Sequence, residues 1–211
     1  MATIEAAFFD LGGVVMASGA PRELLDVYEG ADLETLTRLF LGPDGDGDHP
    51  WHRAERGELA IAEAWPLIQA LMDEHGVTRR ADHTPAPSTQ QWRVNEPVVA
   101  VLTELRENGI RTSIITNNIA ELRSRWWDVL PFEELFDDVV DSHEVGMRKP
   151  APGIYELAMR RVGLTDARCG VFLDDAMRNV EGARAVGLHG IFVDVDPQPA
   201  VDQLRRLCLA G

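Results

Sequence analysis

Gly170-Val171-Phe172-Leu173-Asp174-Asp175 is a short apolar run that stops on two carboxylates, and its surroundings decide the fold. A helical pattern over 177–186 follows, closed by Gly187, and a second apolar run comes next, Gly190-Ile191-Phe192-Val193. Apolar runs this short, set between helical stretches, predict strands of a parallel sheet covered on both faces. The same texture extends back to Pro97. A helix over 97–108 ends at Gly109, and Thr112-Ser113-Ile114-Ile115-Thr116 reads as a strand. A helix near 119–128, a short strand at Val139-Val140 and a helix after Pro152 lead back to residue 170, and a last helix over 198–208 closes the chain. At the other end, Ile4-Glu5-Ala6-Ala7-Phe8-Phe9 breaks at Asp10-Leu11-Gly12-Gly13, and this opening strand needs the same sheet to bury both its faces.

Between about 17 and 92 the texture changes, with no convincing strand. Pro21 opens a predicted helix bearing Leu24, Leu25 and Tyr28, and another carries Leu33, Leu36, Leu39 and Phe40. A Gly/Asp/Pro loop over 42–50 precedes a third helical stretch from Leu59 to His75, with an irregularity expected at Pro66. Thr84-Pro85-Ala86-Pro87-Ser88-Thr89 reads as a linker. The expected architecture is therefore α/β, a doubly wound Rossmann-like parallel sheet built from 1–16 and 93–211, with an all-helical unit inserted over 17–92.

The chain has 211 residues, which fits one domain or a core with a modest inserted unit. Thirty-five acidic residues against 20 basic ones leave −15, which argues against a nucleic-acid backbone or an anionic membrane surface as partner. No apolar run approaches the ~20 residues of a membrane helix. Nineteen of the basic residues are arginine, and the one lysine is Lys149. Cys169 and Cys208 form no CxxC and no His/Cys cluster, so zinc is not expected, and with no secretory h-region the expected location is the cytoplasm.

In open α/β sheets ligands bind beyond the carboxyl ends of the strands. Asp10 follows the strand at 4–9, Thr116-Asn117-Asn118 the strand at 112–115, and Asp174-Asp175 the strand at 170–173; Lys149 lies beyond Val139-Val140. Clustered carboxylates at Asp10, Asp174 and Asp175 repel one another unless a hard cation neutralises them, and few oxygen ligands favour Mg²⁺. With a hydroxyl, an amide and an ammonium beside it, such a site suits a phosphate dianion, on which Asp10 can act as nucleophile.

Four segments stand in order: Phe9-Asp10-Leu11-Gly12-Gly13-Val14-Val15, Ile114-Ile115-Thr116-Asn117, Arg148-Lys149-Pro150, and Phe172-Leu173-Asp174-Asp175 with Asn179-Val180-Glu181-Gly182-Ala183-Arg184. They resemble the four motifs of the haloacid dehalogenase-like hydrolase superfamily, especially its phosphatase branch with a helical cap inserted after the first motif. The resemblance implies Asp10 as nucleophile and Mg²⁺ ligand, with the Gly12 carbonyl also on the metal. It implies Thr116 and Asn117 as the phosphate-binding pair and Lys149 as the base that steadies phosphate. Of the acidic pair, Asp175 resembles the direct metal ligand and Asp174 its neighbour. The expected partner is a small phosphorylated metabolite. One position departs from the pattern. Most phosphatases of this superfamily carry Asp two residues after the nucleophile as general acid and base, and here that residue is Gly12.

Two other readings follow. A 2-haloacid dehalogenase would use Asp10 on carbon without Mg²⁺, and the Asp174-Asp175 pair speaks against it. A catalytically weak member that binds a phosphorylated ligand is motivated by Gly12. Asp44-Gly45-Asp46-Gly47-Asp48 invites a calcium reading, but the glycine required at the sixth position is His49, so an acidic loop is expected instead. His49, Trp51 and His52 either face the site or pack the inserted unit, and specificity is expected near Arg53, Glu55 and Arg56.

Overall fold

A computed structural model describes residues 3–17, 23–80 and 93–209. In chain order, β1 (Ala6–Phe9) is followed by β2 (Met16–Ala17), α1 (Glu23–Val27), β3 (Tyr28–Glu29), α2 (Leu33–Leu41), α3 (Pro50–Glu55), α4 (Ile61–Glu74) and β4 (Thr78–Arg79). The chain continues with β5 (Arg93–Val94), α5 (Glu96–Glu107), β6 (Arg111–Thr116), α6 (Ala120–Trp127), α7 (Phe132–Leu135), β7 (Asp138–Asp141) and α8 (Ser142–Val145). It closes with α9 (Pro152–Arg161), β8 (Gly170–Asp174), α10 (Met177–Ala185), β9 (His189–Phe192) and α11 (Gln198–Cys208).

The five-stranded sheet has the order β7-β6-β1-β8-β9, and every pairing in it is parallel. The chain winds from β1 outward through β6 to β7, then crosses to β8 and β9. Winding therefore reverses at β1, where a crevice opens at the carboxyl end. Strand alternation explains why β1 is apolar throughout. Ala7 and Phe9 join Ile114, Val171, Leu173 and Ile191 in the cluster that includes α5 and α11, while Ala6 and Phe8 join Ile115, Val140 and Phe172 in the cluster with α9 and α10. The doubly wound sheet expected from the sequence is thus observed, each core strand within a residue or two of its expected place. Among the described residues, no helix is long and apolar enough to cross a membrane.

Between β2 and β5 the described chain is a helical unit with its own apolar cluster, Leu36, Leu39, Ile68, Met72 and Val77, flanked by Tyr28, Trp51 and Trp65. Asp32 caps α2 by accepting from the Thr35 amide at 2.9 Å. Two expectations need correction here. The unit is not wholly helical, because Tyr28 pairs with Arg79 and Glu29 with Thr78 in a short antiparallel ladder that draws its two ends together. Two-residue strands carry no alternation, so the sequence pattern is blind to them. The stretch read as a loop up to residue 50 leads directly into α3, which opens at Pro50 behind a His49 cap. Pro66 is accommodated inside α4. Pro21 and the linker expected over 84–89 lie outside the described residues.

The unit leaves and rejoins the core side by side. β2 pairs antiparallel with β5, and Asn95 donates from its backbone to the Val15 carbonyl at 2.9 Å and from its amide to the Val14 carbonyl at 2.9 Å.

Candidate active site

The carboxyl ends of the three central strands bring the motif residues together. Phe9 on β1 is in register with Ile114 of β6 on one side and Leu173 of β8 on the other, so Asp10, Thr116 and Asp174 emerge around one crevice. Lys149 enters from the segment after α8 and is fully buried. Its ammonium sits 2.8 Å from Asp10 Oδ1 and 2.7 Å from Asp174 Oδ2. Burial works against that ammonium, but Asp10 and Asp174 together outweigh it and hold the pKa above the ordinary lysine value.

Asp10, Asp174 and Asp175 each offer an oxygen within 4.8 Å of the others, which no other group of His, Cys, Asp or Glu among the described residues does. Three carboxylates against one ammonium leave an excess of negative charge. Burial first, with Asp174 and Asp175 adding to it against the pull of Lys149, raises the pKa of Asp10 well above the usual carboxylate range. Asp175 is the most open of the three, yet enough protein surrounds it that burial and the Asp174 charge push its pKa up to about 6. A divalent cation would relieve both.

The oxygens are not equally free. Asp174 Oδ1 accepts from the Ala176 amide at 2.8 Å and Asn179 Nδ2 at 3.0 Å, and Asp174 Oδ2 accepts from Lys149 at 2.7 Å. Asp10 Oδ1 accepts from the Leu11 amide at 2.7 Å as well as from Lys149, which leaves Oδ2. The carboxylate oxygens left for a hard cation are therefore Asp10 Oδ2 and an Asp175 oxygen, with Asp174 as the anchored neighbour. Gly13, at φ 81°, lets Asp175 come this close, because a Cβ there would lie 2.0 Å from Asp175 Oδ2.

Asn117 lines the same crevice as Thr116, with its side chain turned to the main chain of Lys149. Its amide donates to the Lys149 carbonyl at 3.0 Å, and its Oδ1 accepts from the Lys149 backbone N–H at 2.8 Å. Both ends of the side chain thus hold the main chain of Lys149. Thr116 is buried at the cavity wall.

A cavity of about 250 Å³ spans the crevice, lined by Asp10, Gly12, Thr116, Lys149 and Asp175 below and by Leu41, Trp51 and Glu55 of the helical unit above. Two larger surface grooves, about 390 Å³ beside α11 and about 430 Å³ along α6, bring no such set of groups together. Of the residues read as specificity candidates, Glu55 lines the cavity. Arg56 instead pairs with Asp46 and Glu58, and Arg53 with Asp48 and Glu58. Trp51 faces the site and donates from Nε1 to Glu55 at 2.9 Å, while His52 is buried in the unit. The loop once open to a calcium reading turns its aspartates to arginines, Asp44 to Arg178 and Asp46 to Arg56. Arg148, part of the third motif but assigned no role there, closes the cavity wall against Glu55.

The family model of haloacid dehalogenase-like hydrolases matches residues 4–187. Phosphatase MT3486 of Mycobacterium tuberculosis is 31% identical over 99% of this chain and 96% of its own length. Acyl-CoA dehydrogenase family member 10 of Mus musculus is 30% identical over 96% of this chain, which spans only 19% of that longer protein. In structure, a HAD family enzyme of Bacteroides thetaiotaomicron solved with magnesium and inorganic phosphate superposes with a TM-score of 0.61 at 20% identity, covering 92% of this chain and 96% of that one. An L-2-haloacid dehalogenase superposes with a TM-score of 0.64 at 20% identity, over 92% and 87% of the two chains.

Proposed function

The chain belongs to the haloacid dehalogenase-like hydrolases, and from that premise we propose that it is a Mg²⁺-dependent phosphomonoester hydrolase acting on a small phosphorylated metabolite. The observation that carries this reading is the cluster of Asp10, Asp174 and Asp175 around a buried lysine, in a cavity of about 250 Å³. A site for a haloalkanoate has no use for so much clustered negative charge, whereas a cation and a phosphate balance it. Asp10, the Gly12 carbonyl and Asp175, with Asp174 beside them, would hold Mg²⁺, which would supply charge neutralisation for the phosphoryl oxygens.

The chain's own residues then act as follows. The Asp10 carboxylate attacks phosphorus; the new O–P bond forms as the bond to the leaving oxygen breaks, giving an aspartyl phosphate. Lys149 neutralises phosphoryl charge, and the Thr116 hydroxyl donates to a phosphoryl oxygen. Asn117 fixes the Lys149 main chain. Water cleaves the acyl phosphate, regenerating Asp10. At Gly12 no side chain is available to protonate the leaving oxygen, so that proton comes from solvent. The inserted helical unit, taken as a cap over 17–92, covers the cavity and limits the size of the leaving group.

Asp10→Asn tests the reading directly. Wild-type protein should release inorganic phosphate from members of a metabolite panel only when Mg²⁺ is present, and the variant should release none while keeping its circular dichroism. Phosphate release that survives in Asp10→Asn, or halide release from a 2-haloacid in the presence of a chelator, would overturn it.

A further inference from the structure

Arg148 is 2% exposed, a guanidinium buried where the helical unit meets the core. Its Nε donates to Glu55 Oε2 of α3 at 2.7 Å, and its Nη1 donates to the Gly45 carbonyl at 2.5 Å. Glu55 is itself buried, and its other oxygen takes the Trp51 indole N–H. One planar fork therefore grips a helix and the loop before it at once, which fixes orientation as well as distance.

Other contacts across this boundary are polar too: Arg178 with Asp44, and the Ile61 amide with Glu121 Oε1 at 3.0 Å. A small apolar patch of Ala54, Ala64 and Ile119 sits among them. The turn at Gly57 comes close to the core at the His143 carbonyl, where a Cβ would stand 2.4 Å away. Desolvation offsets much of the attraction in a buried ion pair, and both charges here regain water if the unit swings away.

Arg148 is also the chain neighbour of Lys149, whose backbone N–H and carbonyl are both held by Asn117. The planar peptide that joins the two residues carries the N–H that Asn117 holds, so a shift of Arg148 can be absorbed only at the Arg148 ψ and Lys149 φ torsions or by disturbing that clamp. We propose that Arg148 and Glu55 form a positioning unit that makes the placing of the Lys149 ammonium between Asp10 and Asp174 depend on the seating of the helical unit. This deepens the phosphatase reading above and rests on it for its catalytic consequence.

Lys149 is the one lysine of the chain, so lysine labelled with ¹³C at Cε reports this site alone by NMR. The full-length protein, Glu55→Gln, Arg148→Met and the double variant are compared without ligand. Wild type should give one sharp Lys149 signal. Each single variant should broaden or split it and should speed amide exchange over residues 51–56. Phosphate release from p-nitrophenyl phosphate with Mg²⁺ should fall about 10- to 100-fold in kcat for each single variant, and the double variant should lose no more than the worse single, as expected for a coupled pair. A single sharp Lys149 signal in both single variants, despite faster exchange in α3, would overturn the proposal, as would additive losses in kcat. If wild type releases no phosphate but the signal splits in the variants, the phosphatase reading fails and the coupling stands.

Discussion

Glycine at position 12 leaves space where most phosphatases of the family have a carboxyl, and a Cβ placed there would meet nothing within 4 Å. The first side-chain atom of Gly12→Asp is thus sterically free, and the substitution is expected to raise turnover toward the ~10²–10⁴-fold that general acid–base help supplies. Steady-state phosphate release with and without the substitution checks this; unchanged kcat would mean that protonation of the leaving group does not limit the rate. Lys149 presents the opposite case, a residue with no free space. Its compact ammonium reaches two carboxylates at 2.7–2.8 Å from a fully buried stem. Lys149→Arg keeps the charge but replaces a point donor by a broad plane. The fold should survive by circular dichroism while kcat falls about 10²-fold, the cost of displacing a reacting group by ~1 Å. An arginine variant with full activity would show that charge alone suffices.

At the scale of the element, α3 presents a titratable residue unrelated to the chemistry. His52 is 1% exposed, packs against Gly42, and has a buried Nδ1 without a partner among the described residues. Burial, then the charges of Arg148, His49 and Arg56 against the opposing pull of Asp46, lowers its pKa from 6.5 to about 4. The folded state therefore holds fewer protons than the unfolded chain across that window. The contribution of His52 is complete above pH 6.5 and is lost as pH falls toward 4. Urea unfolding of His52→Gln is expected to show a shallower loss of stability than wild type across this window, with the two slopes alike above it; parallel curves throughout would refute it. The same helix shows where sequence reading stops. Strand ends bearing Asp10, Thr116 and Asp174 are legible because apolar runs and turns are local signals. α3 is six residues long and shares its opening with a loop, and its partner Arg148 lies 93 positions away from Glu55. Among 35 acidic and 20 basic residues, no local pattern selects that pair. Asn117 was legible as a site residue, but its hold on the Lys149 backbone belongs to tertiary geometry.

For the whole molecule, three carboxylates drawn into one crevice store repulsion that a cation removes, so ligand binding and folding are linked. Adding Mg²⁺ to chelator-treated protein should raise Tm, by the equivalent of roughly 2.7 kcal/mol when Mg²⁺ stands at a hundredfold over its Kd. Asp175→Asn should diminish that shift, and calorimetry reads both; a Tm indifferent to Mg²⁺ would argue against a cation site. The net charge of −15 also takes on a local meaning, since part of it is gathered at Asp10, Asp174 and Asp175.

The paired exit and return of the helical unit at β2 and β5, clasped by Asn95, has a consequence for how such a protein can change. The core presents two chain ends already side by side, so whatever loop or bundle spans them need only close a short gap, and loop length is a weak constraint on such closure. The doorway belongs to the core and the occupant is exchangeable. On the phosphatase reading, leaving-group preference should therefore change when that one contiguous cassette is substituted, while the strands that carry Asp10, Thr116 and Asp174 are left untouched.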